Sequence, residues 1–573
     1  MKQYDAIIIG FGKGGKLLAA ELANRNWKVA IIERSPQMYG GTCVNVGCIP
    51  TKALIYESEQ AERLYRDDYG NQAKYYALAI RRKNKLVSFL RDKNHERIKE
   101  HPNITLYDGT ASFVSDDTVK VVSHDKKEIL LKGKEVFINT GATPILPAVK
   151  GIDASKHVFT SETLLQQSKL PGRLLILGAG AIGMEFATMY AGFGSKVTLL
   201  ETGSRFMPKA DRDIAESMLE SLKRKGIEIR LNAYALSVYD TADGITLTYT
   251  DNSDNTPYFW EGNALLLATG RRPMTDGLNL HAAGIRTDTR GAVIVNEHLQ
   301  TTAPHIWAMG DVRGGALYDY LSLDDFRIIT NRLFGNKKRK TDDRIPVPYV
   351  IFTDPPLAHI GMTEEEAVKR GYSLQVSRLP AAAIPRARTL QQIDGMMKAI
   401  VNDDLQTDPV PYLTGGIYTK FLKEFKPGRI EVRAKIKGVQ GAQPAIWTGS
   451  WAGTIWPWGG EIDIMEHYNT RDRIYQTVHS HYTYDLGFAE NPPSQVQVPL
   501  NPAEFHVYAV ELLPDELIFY VDGEKTLSYP RIETAEEGQF PFYSSVYLFL
   551  DIQIIGEWGG LVDDAALPAE IEV

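Results

Sequence analysis

The sequence predicts two unlike halves: an α/β half built on two Rossmann-like dinucleotide-binding units, then an all-β sandwich from about residue 412 onward. Three observations predict it. Strand, glycine turn and helix occur in that order twice, every landmark displaced by 168 residues, as from Gly10 to Gly178. The chain's two cysteines, Cys43 and Cys48, lie between these copies. After Tyr412 helical periodicity gives way to short strand-like alternation, as in "GRIEVRAKIKG", and five of the eight tryptophans gather there, at 447, 451, 456, 458 and 558.

Bulk properties narrow the function classes. A chain of 573 residues outgrows one hydrophobic core, and 43% hydrophobic with 24% charged residues is an ordinary globular balance, so three or four units are expected. A net charge of -7, spread along the chain, argues against nucleic acid or an anionic membrane as partner. The run Lys337 to Lys340 reads as a solvated loop. No apolar stretch is long enough to span a bilayer, no secretion signal is visible, and two cysteines make no disulfide scaffold, so the expected compartment is the cytoplasm.

In the first unit "DAIIIGFGKGG" sets an apolar strand before Gly10, Gly12 and Gly15, with "KLLAAELANR" following as a helix. Gly10 permits the tight turn, Gly12 lets backbone approach a pyrophosphate, and Gly15 lets helix and strand pack closely. "KVAIIE" then ends a second strand in Glu33. The second unit repeats this with Gly178, Gly180 and Gly183 in "RLLILGAGAIGMEFA" and Glu201 closing "KVTLLE". Two dinucleotides are implied. An acid at that strand end bonds a ribose 2'-hydroxyl and repels a 2'-phosphate, so Glu201 favours NADH over NADPH, with Arg205 nearby pulling the other way.

Between them, "GGTCVNVGCIPTK" separates Cys43 and Cys48 by five residue steps. A regular helix would rise about 7.5 Å over that interval, beyond the roughly 7 Å within which two Cα atoms carry a disulfide. The segment must bend, as Gly47 and Pro50 allow, and Pro50 in the first turn places Cys48 at a helix N-terminus, where a thiolate is stabilised. Half a zinc site or two buried thiols are the other readings of the pair.

With these motifs, residues 1 to about 407 resemble the class I pyridine nucleotide-disulfide oxidoreductases, the family of dihydrolipoamide dehydrogenase, glutathione reductase and mercuric reductase. "INTGATP", "LLATGRRP", "IWAMGDV" and "FTDPPLAHIGMTEEEA" extend the match, and "GFGKGGKLLAAELA" with "MYGGTC" is most similar to the branch linked to reactive chlorine resistance and hypothiocyanous acid reduction. The resemblance implies a flavoprotein in which hydride passes from NADH to FAD, and electrons from there to the Cys43, Cys48 disulfide and a small oxidised substrate. By position it makes Cys48 the flavin-facing thiol and Cys43 the one attacking substrate, pairs Lys52 with Glu185 beside the isoalloxazine, and sets Asp311 on the ribitol. Its cofactor-binding set adds Gly41, Thr42, Thr140, Gly141, Gly270 and Gly310.

The chemical centre of the β half is "WPWGGEIDIMEHYN". On a plain strand Glu461 and Asp463 share a face and Glu466 lies on the other. A β-bulge between Asp463 and Glu466 would bring all three acids to one face. The glutamates would then stand about 13 Å apart at Cα, near enough for leaning carboxylates to approach the roughly 5 to 5.5 Å of a retaining glycosidase. With "LTGGIYTKFLKEFKPGRIEVRAKI" and "QPAIW", this half resembles glycoside hydrolase family 16, especially its laminarinase-like members, a jelly-roll (concanavalin-like) fold. The resemblance implies Glu461 as nucleophile, Glu466 as general acid/base, Asp463 as the residue tuning both, and a β-glucan, β-1,3 linked, as substrate. Trp447, Trp456, Trp458 and Trp558 either stack on sugar rings or pack in the core. His479 and His481 are expected on one strand face lining the same cleft; zinc is the weaker option there, and no metal centre is expected.

The expected organisation is an FAD-binding domain over 1–150 and 273–344, an NAD(P)H-binding domain over 151–272, a truncated α+β interface domain over 345–407, a seam at 408–411 and an incomplete sandwich over 412–573. Only "PVP" stands at the seam, too short for a flexible linker. The family's His-Pro-Thr segment does not occur; His101 and Pro102 are followed by Asn103. The shortened interface domain argues against the family's homodimer. Family 16 members also carry strands before "TGGIYTK" and one after "PAEIEV", leaving open edges here. Competing readings are an inactive or artificial fusion that only binds flavin and/or glucan, and a hydrolase that holds all the activity with the flavoprotein as its carrier.

Overall fold

Apolar runs such as Ala6–Ile9 and Leu174–Leu177 show no polar alternation, as suits strands covered on both faces, and in the computed structural model both runs are buried. The structure describes residues 1–251, 256–344, 346–389, 391–402, 415–419, 423–450, 456–554 and 566–573. The seam at 408–411 and Trp558 lie outside these residues. The chain divides into two units, Met1–Asp404 and Leu405–Val573.

In the first unit, strand Lys2–Ile9 pairs in parallel with Val29–Glu33 on one side and Glu128–Ile138 on the other. Ile104–Phe113 extends the parallel order beyond Val29–Glu33, and Ile306–Ala308 extends it beyond Glu128–Ile138. That last strand returns the chain to its first sheet after a second, all-parallel sheet has formed. The order there is Glu228–Arg230, Lys196–Leu200, Arg173–Leu177, Ala264–Leu267, Val158–Thr160. An antiparallel meander, Ala233–Asp240, Ile245–Asp251 and Pro257–Gly262, adjoins it in sequence.

Residues beyond 345 form two short antiparallel pairs, Tyr349–Ile351 with Leu357–His359 and Leu374–Pro380 with Met396–Asn402. Between them lies helix Glu364–Lys369, opened by a reciprocal capping box of Thr363 and Glu366. The basic run is a surface loop, as expected, with Arg339 on Asp324 and Lys340 near Glu297.

The second unit is a two-sheet sandwich. Its six-stranded sheet runs Gly416–Tyr418, Val546–Ile554, Ala442–Ser450, Glu461–Glu466, Arg473–His479, Gln495–Pro499; the five-stranded sheet runs Glu524–Pro530, Glu516–Val521, His506–Leu512, Gly428–Lys437, Glu570–Glu572. Ile446, Ile462, Ile464 and Met465 from one sheet pack with Val432, Val510 and Phe519 from the other. The registers of Glu461–Glu466 with both neighbouring strands shift between Asp463 and Glu466. This bulge sends both Ile464 and Met465 into the core and returns Glu466 to the face of Glu461 and Asp463.

One sequence expectation needs correction. His479 ends its strand, and His481 opens the separate turn His481–Asp485, so the two do not share a strand face. Ser480 breaks the strand because its hydroxyl accepts from the Thr483 N–H and caps that turn.

Candidate functional site

The two glycine turns are built alike. Gly10 and Gly178 hold φ of 105° and 103°, and a Cβ there would stand 2.3 Å from the Asn139 carbonyl oxygen or 2.5 Å from that of Ala268. Only glycine meets both conditions. A Cβ at Gly15 or Gly183 would meet the carbonyl of Gly10 or Gly178 at 2.7 and 2.0 Å, so helix and turn are in backbone contact. Helices Lys13–Asn24 and Ala181–Gly192 start directly after Gly12 and Gly180, and neither N-cap supplies a side-chain acceptor. In the first helix Ser322 and Asn139 take the Gly14 and Gly15 N–H groups, so the second helix offers the freer first turn to an anion. Around Gly180 a Cβ would meet nothing within 4 Å, the open space a pyrophosphate needs.

The strand-end acids grip these turns. Glu33 accepts from Phe11 N–H at 3.0 Å and Ser35 N–H at 3.1 Å, and burial pushes its carboxyl up. Glu201 accepts from Ala179 N–H and Gly203 N–H, both at 2.8 Å. The residues present therefore fit a dinucleotide at each turn.

Asn139 is a residue that periodicity alone passes over, since it closes an apolar strand. It is buried, accepts from Gly15 N–H and donates to the Met309 carbonyl, both at 2.9 Å, while its own N–H bonds Ile9 at 2.8 Å. One amide thus joins three strand ends and the first helix turn. Asn139→Ala is expected to cost about 2 kcal/mol by orphaning two buried groups and to weaken retention of a flavin; thermal unfolding and flavin content after gel filtration check it. Asp325, fully buried, was also missed: it accepts from Gly310 N–H at 2.7 Å, Arg313 at 2.8 Å and Arg344 at 2.8 Å, fixing the turn that carries Asp311. Burial pushes the Asp311 carboxyl up.

The thiols sit on a bent segment. Cys43 lies in the short helix Thr42–Asn45, and Cys48 opens helix Cys48–Tyr65 with Pro50 in its first turn. Asn45 holds the bend: it donates to the Tyr39 and Gly41 carbonyls at 2.9 Å each and accepts from Arg91 at 2.8 Å. Gly41 presses on the glycine turn, since a Cβ there would stand 2.6 Å from the Gly12 Cα.

Both cysteines are free and half-buried. The hydrogen bond from Cys43 lowers the Cys48 thiol below its ordinary range, aided by Lys52, while the same bond, burial and the Asp319 carboxylate raise Cys43. Lys52 reaches both Glu185 oxygens at 2.8 and 2.7 Å, and Phe352 N–H donates to the same carboxylate at 3.0 Å. Thr140 donates to Met274 at 2.6 Å, and Gly141 and Gly270 flank the paired segments Ala142–Pro144 and Arg271–Pro273.

On the sandwich, Glu461, Asp463 and Glu466 share a sheet face with His479, Thr477 and Tyr475, their cross-strand partners. His479 Nε2 lies 3.3 Å from Asp463 Oδ2. Burial and the neighbouring Asp463 push Glu461 up to about 7; burial pushes Asp463 up to about 6 against the attraction of the nearby His479 imidazole; burial also raises Glu466. For His479 burial disfavours the cation, but Asp463 and the two glutamates outweigh it and hold the imidazole above its ordinary range.

Glu466 accepts from Gln443 at 2.5 Å, Tyr468 at 2.8 Å and Thr477 at 3.3 Å, bonds that favour its anion. Trp447 stacks on Phe549 at 4.0 Å and donates to Asp551 at 2.9 Å. Trp456 and Trp458 are exposed; Trp458 stacks on His481 at 3.8 Å, and His481 pairs with Asp485 at 2.7 Å.

Comparison with known proteins gives three family matches: pyridine nucleotide-disulphide oxidoreductase over residues 4–330, the dimerisation domain of that family over 347–408, and glycosyl hydrolases family 16 over 389–560. The last two share residues 389–408. A probable pyridine nucleotide-disulfide oxidoreductase, RclA of Escherichia coli, is 45% identical over 71% of this chain and 88% of its own. A mercuric reductase of Lysinibacillus sphaericus is 35% identical over 70% of this chain and 72% of its own. Among solved structures, a copper(II) complex of the HOCl-induced flavoprotein disulfide reductase RclA from Escherichia coli covers 71% of this chain and 88% of its own, with 45% identity and a TM-score of 0.65.

Proposed function

The chain belongs to the pyridine nucleotide-disulfide oxidoreductase family, and from that premise we propose that its first unit is an FAD-dependent reductase using NADH to reduce a small oxidised substrate through Cys48 and Cys43. The family implies FAD and NAD(P)H; the choice of NADH rests on Glu201, whose carboxylate suits a ribose hydroxyl and repels a 2'-phosphate. Bound FAD would take the hydride equivalent and pass two electrons to the Cys43, Cys48 disulfide. Cys48, favoured as thiolate at its helix N-terminus, would then face the isoalloxazine, with the Lys52, Glu185 pair behind it. Cys43 would attack the oxidised sulfur or its equivalent, and Cys48 would displace the product by reforming the disulfide.

The second unit carries a family 16 match, and we infer that it is a retaining β-glucan endo-hydrolase with Glu461 as nucleophile, Glu466 as general acid/base and Asp463 tuning both. Trp456 and Trp458 would stack on sugar rings beside His479 and His481. The observation that carries the reductase reading is the thiol pair on its bent segment, with Cys48 opening its helix one turn before Lys52. The visible spectrum tests it: purified protein should be yellow, and NADH should bleach it faster than NADPH. A protein that binds no flavin, or a flavin neither nucleotide bleaches, sinks the reading. Described residues include no helix long and apolar enough to cross a membrane.

A further inference from the structure

Glu461, Asp463 and His479 place one carboxylate oxygen each and an imidazole nitrogen within 4.8 Å of one another. The arrangement is held by strand pairing: Glu461 and His479 are direct cross-strand partners, and Asp463 lies two positions along on the same face. His479 Nε2 and Asp463 Oδ2 already stand 3.3 Å apart, close to the roughly 3.4 Å edge of a tetrahedron with zinc bonds of about 2.1 Å.

A second observation points to a ligand. Asp463 is only 4% exposed, and its Oδ2, the oxygen turned toward His479, accepts no hydrogen bond of acceptable geometry among the described residues. A buried carboxylate oxygen left so is costly, and Glu466 adds negative charge nearby. One imidazole with two carboxylates is a donor set zinc accepts, three protein ligands leaving one position open.

We propose that Glu461, Asp463 and His479 bind one divalent transition-metal cation, and that this cation and a glucan compete for Glu461. The binding half stands without the hydrolase reading; the competition half rests on it.

The test titrates Zn2+ calorimetrically into chelator-treated full chain carrying Cys43→Ser and Cys48→Ser, so that the dithiol cannot take the metal. One equivalent should bind in the micromolar range, and His479→Gln and Asp463→Asn should each weaken it by about tenfold or more. Circular dichroism and thermal unfolding verify each variant; one that fails to fold is replaced by Glu461→Gln, expected to weaken binding likewise. No binding below millimolar Zn2+, or binding indifferent to these substitutions, overturns the proposal. If Zn2+ binds as expected, it should also suppress sugar release from laminarin, and laminarin cleavage undisturbed at saturating Zn2+ overturns the competition. Zinc binding in a protein that never cleaves laminarin would instead refute the hydrolase reading and leave the cation site standing.

Discussion

Cys48→Ser should abolish reduction of a disulfide substrate, by roughly a thousandfold or more, while NADH still bleaches the flavin. Serine preserves the size and position of the half-buried side chain opening helix Cys48–Tyr65, so neither the helix nor the cradle around Asn139 loses a contact that folds it. What disappears is the sulfur that accepts electrons and reforms the disulfide. Stopped-flow absorbance separates the two half-reactions. Unchanged disulfide turnover in this variant would mean that electrons leave the flavin by a route other than the thiols.

Glu461→Gln should lower sugar release from laminarin by a similar factor, roughly a thousandfold, with little effect on unfolding, because the side chain is only partly buried and the amide keeps its shape. Glutamine cannot form the glycosyl ester, yet it leaves Glu466 and its three hydrogen bonds in place. The electrostatics of the cleft make the assignment of roles worth testing, since burial raises both glutamates and at Glu466 three side-chain hydrogen bonds pull against it. If Glu461 is the nucleophile, a small anion such as formate should restore cleavage of an activated aryl glucoside by Glu461→Gln. The product of that rescue should be inverted, an α-glucosyl formate, whereas rescue of Glu466→Gln should keep the β configuration because the anion there attacks the glycosyl-enzyme. An α product from Glu466→Gln and a β product from Glu461→Gln would exchange the two roles.

Much of this architecture is legible in the residues because local chemistry dictates it. A glycine forced to φ near 105° against a neighbouring carbonyl, as at Gly10 and Gly178, leaves a mark that one sequence carries openly. The bulge was legible for another reason: Glu461, Asp463 and Glu466 can share a face only if the strand's alternation is broken once. Asn139 and Asp325 were not legible as hubs, because their partners lie up to 170 residues away, at Met309, or in a turn that spacing alone does not locate. The same holds for Gln443 and Thr477, whose bonds to Glu466 come from neighbouring strands. His481 escaped through a one-residue difference, since the pattern of alternating residues ran on past the strand that Ser480 ends.

The contact between Gly41 and Gly12 has a thermodynamic consequence. Gly12 belongs to the turn that would hold a dinucleotide, and Gly41 to the segment that carries Cys43, so displacement of either backbone is felt by the other. Binding and redox state are then linked quantities: the change in flavin affinity on reducing the thiols must equal, in free energy, the change in thiol stability on binding flavin. An affinity measured without fixing the oxidation state of Cys43 and Cys48 is an average over two proteins.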